Sequence, residues 1–237
     1  RAGGFTHEVA VRIRTGNVTF DNGTIRADSV TLAADGGAMS LGSAAQVDAS
    51  AKQGGVVGVY AKENLAVNAG AVISARSSRA GANGGDITLS SSSGRISLAS
   101  GAVIDAGGDD STDGRITLRA SRAGNTVNVD PVRASWNAGT LAVEAVRQYS
   151  GTTVATGSSA GTTIGQTTLA ADTSGYMANK AAIMNALGLS GDARAHLRAG
   201  VEIRSSGDLT VSSDWNLWSA SRAGGEPGYL SLRAAGN

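Results

Sequence analysis

The stretch GGDITLSSSSGRISLASGAVIDAGG, Gly84 to Gly108, decides the fold. It holds three short apolar sets, Ile87/Leu89, Ile96/Leu98 and Ala102/Ile104/Ala106, each alternating with polar or small residues and separated by Gly/Ser corners. Strict alternation has the period of a β-strand, so Ile87 and Leu89 face one way while Asp86 and Thr88 face the other. Three strands of this length, turned by glycine and followed by the same three again, describe one coil of a repeat.

The repeat extends in both directions. The runs containing Val30, Val57, Ile87 and Ile116 align at steps of 27, 30 and 29 residues. Each is followed by a second apolar pair: Met39/Leu41, Leu65/Val67, Ile96/Leu98 and Val127/Val129. Three are followed by a third strand of shared form, around Val47, Ile73 and Ile104. Upstream, Val11/Ile13, Val18/Phe20 and Ile25/Ala27 give a tighter unit, 19 residues from Val11 to Val30. A meander of hairpins would need a turn signal of the Asn-Gly kind at each reversal, and only Asn22-Gly23 offers one. Parallel stacking of equivalent strands at about 4.8 Å satisfies the pattern instead. The expected fold class is all-β, a right-handed parallel β-helix (β-solenoid) with triangular coils and a short helical insertion.

Length variation collects after the third strand, in the Gly/Ser/Asp-rich stretches 50–55, 76–85 and 107–114. Ala27, Ala49, Ala75 and Ala106 stand just before that corner, where a small inward residue lets the chain turn. From Trp136 the pattern changes. Leu141/Val143 offers one more strand, residues 150–171 show no clear phase, and the apolar spacing from Tyr176 to Leu187 predicts a helix over about 174–188, capped near Asp172 and stopped by Gly188. Val201/Ile203, Leu209/Val211 and Leu230/Leu232 resume the pattern. The expected organisation is solenoid coils over 1–132, an irregular insertion with one helix over 133–194, and resumed coils over 195–237.

Composition agrees. Among 237 residues, 41% are hydrophobic but only 4% aromatic, so a core must be built of small aliphatic side chains; the 34 glycines recur between apolar runs and read as corners. The absence of cysteine removes disulfides, thiolate metal sites and cysteine nucleophiles. A net charge of +1, carried by dispersed arginines, leaves no basic patch for nucleic acid. No segment approaches the roughly 20 apolar residues of a membrane span. The chain opens at Arg1 without a signal-peptide pattern, which reads as an internal fragment or a processed product.

The coil motif in GGDITL, GRISL and GAVIDAGG, together with the tail GDLTVSSDWNLWSASRAGGEPGYLSLRAAGN (Gly207 to Asn237), resembles the repeats of filamentous haemagglutinin-type large exoproteins, the passengers of two-partner secretion. The likeness covers roughly residues 8 to 130 and 195 to 237. It implies a β-helix shaft, export through an outer-membrane transporter, a secreted or cell-surface location, and a role in adhesion, aggregation or biofilm. Implied partners are a host or neighbouring-cell receptor or glycan, and further copies of the chain through self-association. Nothing here matches the family's amino-terminal secretion domain.

Catalytic constellations are sparse. Asp109, Asp110 and Asp113 share one corner loop, a pattern that usually marks a solvated turn and at most a weak cation or acid–base site. His7 and His196 stand far apart, Glu144 and Glu202 are isolated, and Gly-x-Ser-x-Gly, Walker and dinucleotide motifs are absent. The chain therefore reads as non-enzymatic and without a cofactor. Candidate ligand contacts are Arg76, Arg79, Asn83, Asp109 and Asp110 in the corner loops, with Trp215 and Trp218 able to stack on sugars. A filament or sheath subunit and a polysaccharide-active β-helix enzyme are the alternative readings.

Overall fold

The structure, a computed structural model, describes residues 6–108, 113–216 and 223–236. The chain divides into two compact units, one of residues 1–120, 128–143 and 185–196, the other of 121–127, 144–184 and 197–237.

The first unit is a stack of parallel ladders. Strands Glu8–Ile13, Ser29–Ala34, Val56–Ala61, Asp86–Ser91 and the one starting at Arg115 lie side by side, so that Val9, Val30, Val57, Ile87 and Ile116 fall in one row. Val11, Leu32, Val59, Leu89 and Leu118 form the next. A second ladder aligns Val18, Met39, Leu65 and Ile96, and a third aligns Ile25, Val47, Ile73, Ile104 and Trp136. Alternation dictates this arrangement. Every second side chain enters the interior, and a parallel neighbour in register sets Ile or Val on its equivalent; each such burial is worth about 1.5–3 kcal/mol. From Val30 to Leu118 these rows are almost wholly buried.

Second and third ladders belong to a single sheet. The strands Val18–Arg26 and Met39–Asp48 pass through both positions without a break, and a register shift between Phe20 and Asn22 absorbs the bend. In later repeats the same positions are separate three-residue strands, such as Leu65–Val67 and Val72–Ser74.

The alanines expected to face inward before the variable corner do so, with Ala49, Ala75 and Ala106 fully buried. Gly55, Gly85 and Gly114 close that corner. A Cβ on Gly55 would stand 1.8 Å from the Ala49 carbonyl oxygen, and one on Gly114 would stand 1.6 Å from that of Ala106. The excursions 50–55 and 76–85 thus leave at an alanine and return at a glycine, and they stack: Ala51 bridges Ser77, and the Ser78 N–H donates to the Ala51 carbonyl.

In the second unit, residues of the strand Thr140–Ser150 precede Ala195–Ser205, which pairs in parallel with Tyr229–Ala234 so that Val201 meets Leu230 and Ile203 meets Leu232. Thr163–Gly165, Thr153–Ala155 and Thr210–Val211 form a small parallel sheet, so Leu209/Val211 contributes here and not to the row of Val201. Val154, Ile164, Leu169, Val201 and Ile203 make a core of their own.

The segment 133–194, expected to be irregular apart from one helix at about 174–188, is more ordered than that. It carries strands Ser135–Asn137, Thr140–Ser150, Thr153–Ala155 and Thr163–Gly165, and the helical part is two helices, α1 (Gln166–Met177) and α2 (Lys180–Ala186). Asp172 does not cap a helix start. Gly165, extended and without a side-chain cap bond, precedes α1, while Asp172 lies in its middle and spends its carboxylate on three other side chains. Threonines 167, 168 and 173 hid the first turns, because β-branched residues are poor helix formers and packing overrides that preference here. Gly188, in the left-handed region at φ 73°, does end the helical stretch.

Candidate functional site

The corner loops of the first unit gather the predicted contact residues. Arg76 reaches across to Asp105 in the next repeat, Nη1 to Oδ2 3.1 Å, so it is a strut between repeats before it is a ligand contact. Asp105 also accepts from the Gly107 N–H and the Asn137 amide, each at 3.0 Å. Arg79 and Asn83 project exposed side chains from the same loop. Its backbone is fixed underneath by buried Ser77, whose hydroxyl donates to the Lys52 and Arg79 carbonyls. Asp113 is exposed; Asp109 and Asp110 lie outside the described residues, as does Trp218. Among the described residues no group of His, Cys, Asp and Glu is placed to hold a metal ion.

Trp215 belongs to the second unit. It packs half-buried against the core there and lines an apolar cavity of about 150 Å³ with Leu169, Thr173, Val201 and Leu230. Gln166, at the cavity's edge, has its amide committed to the Ser213 hydroxyl and the Asp214 carbonyl, at 3.3 and 3.2 Å.

The most highly organised polar group is one the sequence did not announce. The Arg122 side chain is buried, and each nitrogen of its guanidinium makes a bond: Nη1 donates to Asp172 at 2.8 Å, Nε to the Ala145 carbonyl at 3.1 Å, and Nη2 to the Gly200 carbonyl at 3.3 Å. Its plane lies 4.2 Å from the centre of the Tyr176 ring. Asp172 takes further bonds from Arg147 and from the Tyr149 hydroxyl, the latter at 2.7 Å. Burial lowers the pKa of Arg122, partly offset by the Asp172 charge, and raises that of Tyr149, reinforced by its bond to Asp172. Tyr176 is pushed up to about 12 by burial.

Three donors, two guanidinium groups and a phenol, share the two oxygens of this carboxylate. The arrangement can lock α1 to neighbouring strands. No sequence signal could have found it, since Arg122 and Asp172 are 50 residues apart. Glu202, read from sequence as isolated, is in fact buried and held by Arg204 and by Arg233, the latter at 3.3 Å. His7 likewise lies 3.7 Å from Asp28.

No helix among the described residues is long and apolar enough to cross a membrane. Comparison of the chain with family models, curated proteins and solved structures finds no match.

Proposed function

We propose that the chain is a shaft segment of a right-handed β-solenoid with triangular coils, belonging to a secreted or surface-exposed bacterial adhesin of the filamentous haemagglutinin type. It acts in attachment, aggregation or biofilm and performs no catalysis. One observation supports this above the others: the parallel registration of three apolar positions per repeat through successive repeats, with the length differences between Val30 and Ile116 collected mainly at one corner. A scaffold that keeps its interior constant and varies one line of loops is suited to displaying contacts, and binding residues favour loops on a rigid frame. The stacked loops with Arg79 and Asn83 are the proposed contact surface for a receptor or glycan, and the engagement of Asp172 by three side chains agrees with a structural reading of the buried charges.

Beads coated with the protein test this on epithelial cells, bacteria and a glycan panel, beside a turnover assay on acidic and neutral polysaccharides. Retention of the beads, reduced by Arg79→Ala with Asn83→Ala, is expected. Polysaccharide turnover with no retention on any surface would replace the adhesive reading by the enzymatic one.

A further inference from the structure

Asparagine is followed by glycine twice in the chain, at Asn22-Gly23 and at Asn83-Gly84. The pair matters chemically, because a glycine brings no Cβ to keep its backbone nitrogen away from the asparagine carboxamide. The fold treats the two pairs differently. Asn22 and Gly23 lie within the strand Val18–Arg26, in parallel register with Ala44 and Ala45. Asn83 and Gly84 lie in the corner loop 76–85, between the turn closed by the Ala82 N–H on the Arg79 carbonyl and the strand Asp86–Ser91.

Elsewhere in the first unit, asparagine carboxamides are tied to a neighbouring repeat. Asn17 and Asn64 accept from the Ala38 and Arg95 N–H groups, and Asn68 and Asn137 donate to the Leu41 carbonyl and to Asp105. Asn83 is exposed, and among the described residues neither its carboxamide nor the Gly84 N–H has a hydrogen-bond partner. The glycine after it is dictated by packing, since a Cβ on Gly84 would stand 1.8 Å from the Ala106 carbonyl oxygen in the next repeat. The loop therefore keeps an Asn-Gly pair together with both reacting groups unengaged.

We infer that Asn83 is a modification site, at which the chain deamidates spontaneously through Gly84. The Gly84 backbone nitrogen attacks Cγ of Asn83; the N–Cγ bond forms, the Cγ–Nδ2 bond breaks, and the Gly84 amide proton leaves with the departing ammonia. Water then opens the five-membered succinimide at either carbonyl, leaving aspartate or isoaspartate at position 83. Water is the only co-reactant. Both products place a carboxylate where a neutral amide stood, in the loop that carries Arg79, and isoaspartate adds one carbon to the main chain. At Asn22 the same ring closes only if the backbone rotates out of its extended conformation, which the pairing with Ala44 and Ala45 resists. The inference goes beyond the adhesive reading and stands without it; where both hold, the contact loop changes charge as the molecule ages.

Trypsin cuts after Arg14, Arg26, Arg79 and Arg95, so the two pairs fall in separate peptides, 15–26 and 80–95. The folded chain is held in neutral buffer, sampled over weeks, digested briefly and read by chromatography with mass spectrometry. Peptide 80–95 is expected to gain about 1 Da, about tenfold faster than peptide 15–26, and to split into two peaks of equal mass, one aspartate and one isoaspartate. In urea, which removes the ladders, the two peptides are expected to react at similar rates. Asn83→Gln, whose longer side chain closes a less favourable ring, is expected to abolish the mass gain in 80–95, and far-UV circular dichroism checks that its fold is kept. An unchanged peptide 80–95 overturns the inference, as does a peptide 15–26 that reacts as fast in the folded chain. A mass gain that survives Asn83→Gln, or an aspartate peak with no isoaspartate beside it, overturns it too, since the change then lies elsewhere or bypasses the succinimide. An unaltered lead of 80–95 in urea would show that local sequence, and not the fold, separates the two sites.

Discussion

At the scale of single residues, Thr88 and Leu89 are neighbours in sequence and opposites in environment. Leu89 sits in an interior row between Val59 and Leu118, with no exposed surface, whereas Thr88 faces outward and is half-buried. Period-two alternation made this legible from sequence. Leu89→Asp, which places an unpaired charge in the row, is expected to prevent folding, and Thr88→Asp to leave the urea midpoint within about 1 kcal/mol of the parent. Similar effects from both would refute the phase. The Arg122 network was illegible, because its members are scattered from 122 to 176 and only the fold brings them together. Asp172→Asn strands the buried Arg122 charge and is expected to cost about 3–5 kcal/mol; Asp35→Asn, which breaks the exposed pair with Arg12, is expected to cost less than about 1 kcal/mol. Equal costs in urea titrations would mean that Arg122 is solvated. Tyr176 adds a pH dependence. Its phenol ionises at about 12 in the fold and near 10.0 when free, so the unfolded chain loses its proton first; the stability is fully present below pH 10 and declines as pH rises toward 12. The Tyr176 hydroxyl is buried with no hydrogen-bond partner among the described residues, so Tyr176→Phe is expected to be neutral at pH 8 and to flatten the alkaline decline. An unchanged alkaline slope would place the titration elsewhere.

At the scale of elements, corners and helices differ in what they reveal. A corner is written in composition: Gly55, Gly85 and Gly114 each precede a first-ladder strand, and each is glycine because a carbonyl oxygen occupies the space a Cβ would need. Gly55→Ala therefore forces the chain to shift. We expect a loss of about 1–3 kcal/mol or more, as for overpacking elsewhere. Gly207→Ala, which meets nothing within 4 Å, should be silent. Helix α1 is the opposite case, since its start lies in a Thr-rich stretch whose spacing gives no stripe, and its identity comes from burial: Leu169 shares a core with Val201 and Ile203, and Tyr176 lies under Arg122. Gly175, inside α1 with open space at its Cβ position, marks the difference between propensity and packing. Gly175→Ala should raise stability by about 1 kcal/mol in thermal melts. A loss would mean that the helix depends on glycine at that turn.

At the scale of the whole molecule, the parallel ladders of the first unit were legible because the same constraint is written several times over, and agreement between repeats filters out chance alternation. In the second unit only the parallel match of Val201/Ile203 with Leu230/Leu232 was legible, because its other strands and its helices are written once. This difference has an energetic consequence. In a stack where each repeat touches its neighbours alone, stability is close to a sum of repeat and interface contributions, so a whole repeat is removable while a fraction of one is not. Deleting Val56–Gly85, 30 residues, joins Gly55 to Asp86 and sets Val30, Leu32 and Val47 directly on Ile87, Leu89 and Ile104, keeping every interior row in phase and the corner glycine in place. Deleting only Val56–Gly70 leaves a third strand without its first and second, so Leu32 and Leu41 lose their cover while Ile73 keeps its own. The full-repeat deletion is expected to fold with an unchanged β-type circular dichroism spectrum and one cooperative urea transition at a modestly lower midpoint; the half-repeat deletion should aggregate or unfold. If both deletions fail alike, the repeats are not interchangeable, and the ladders owe their register to specific neighbours and not to a shared period.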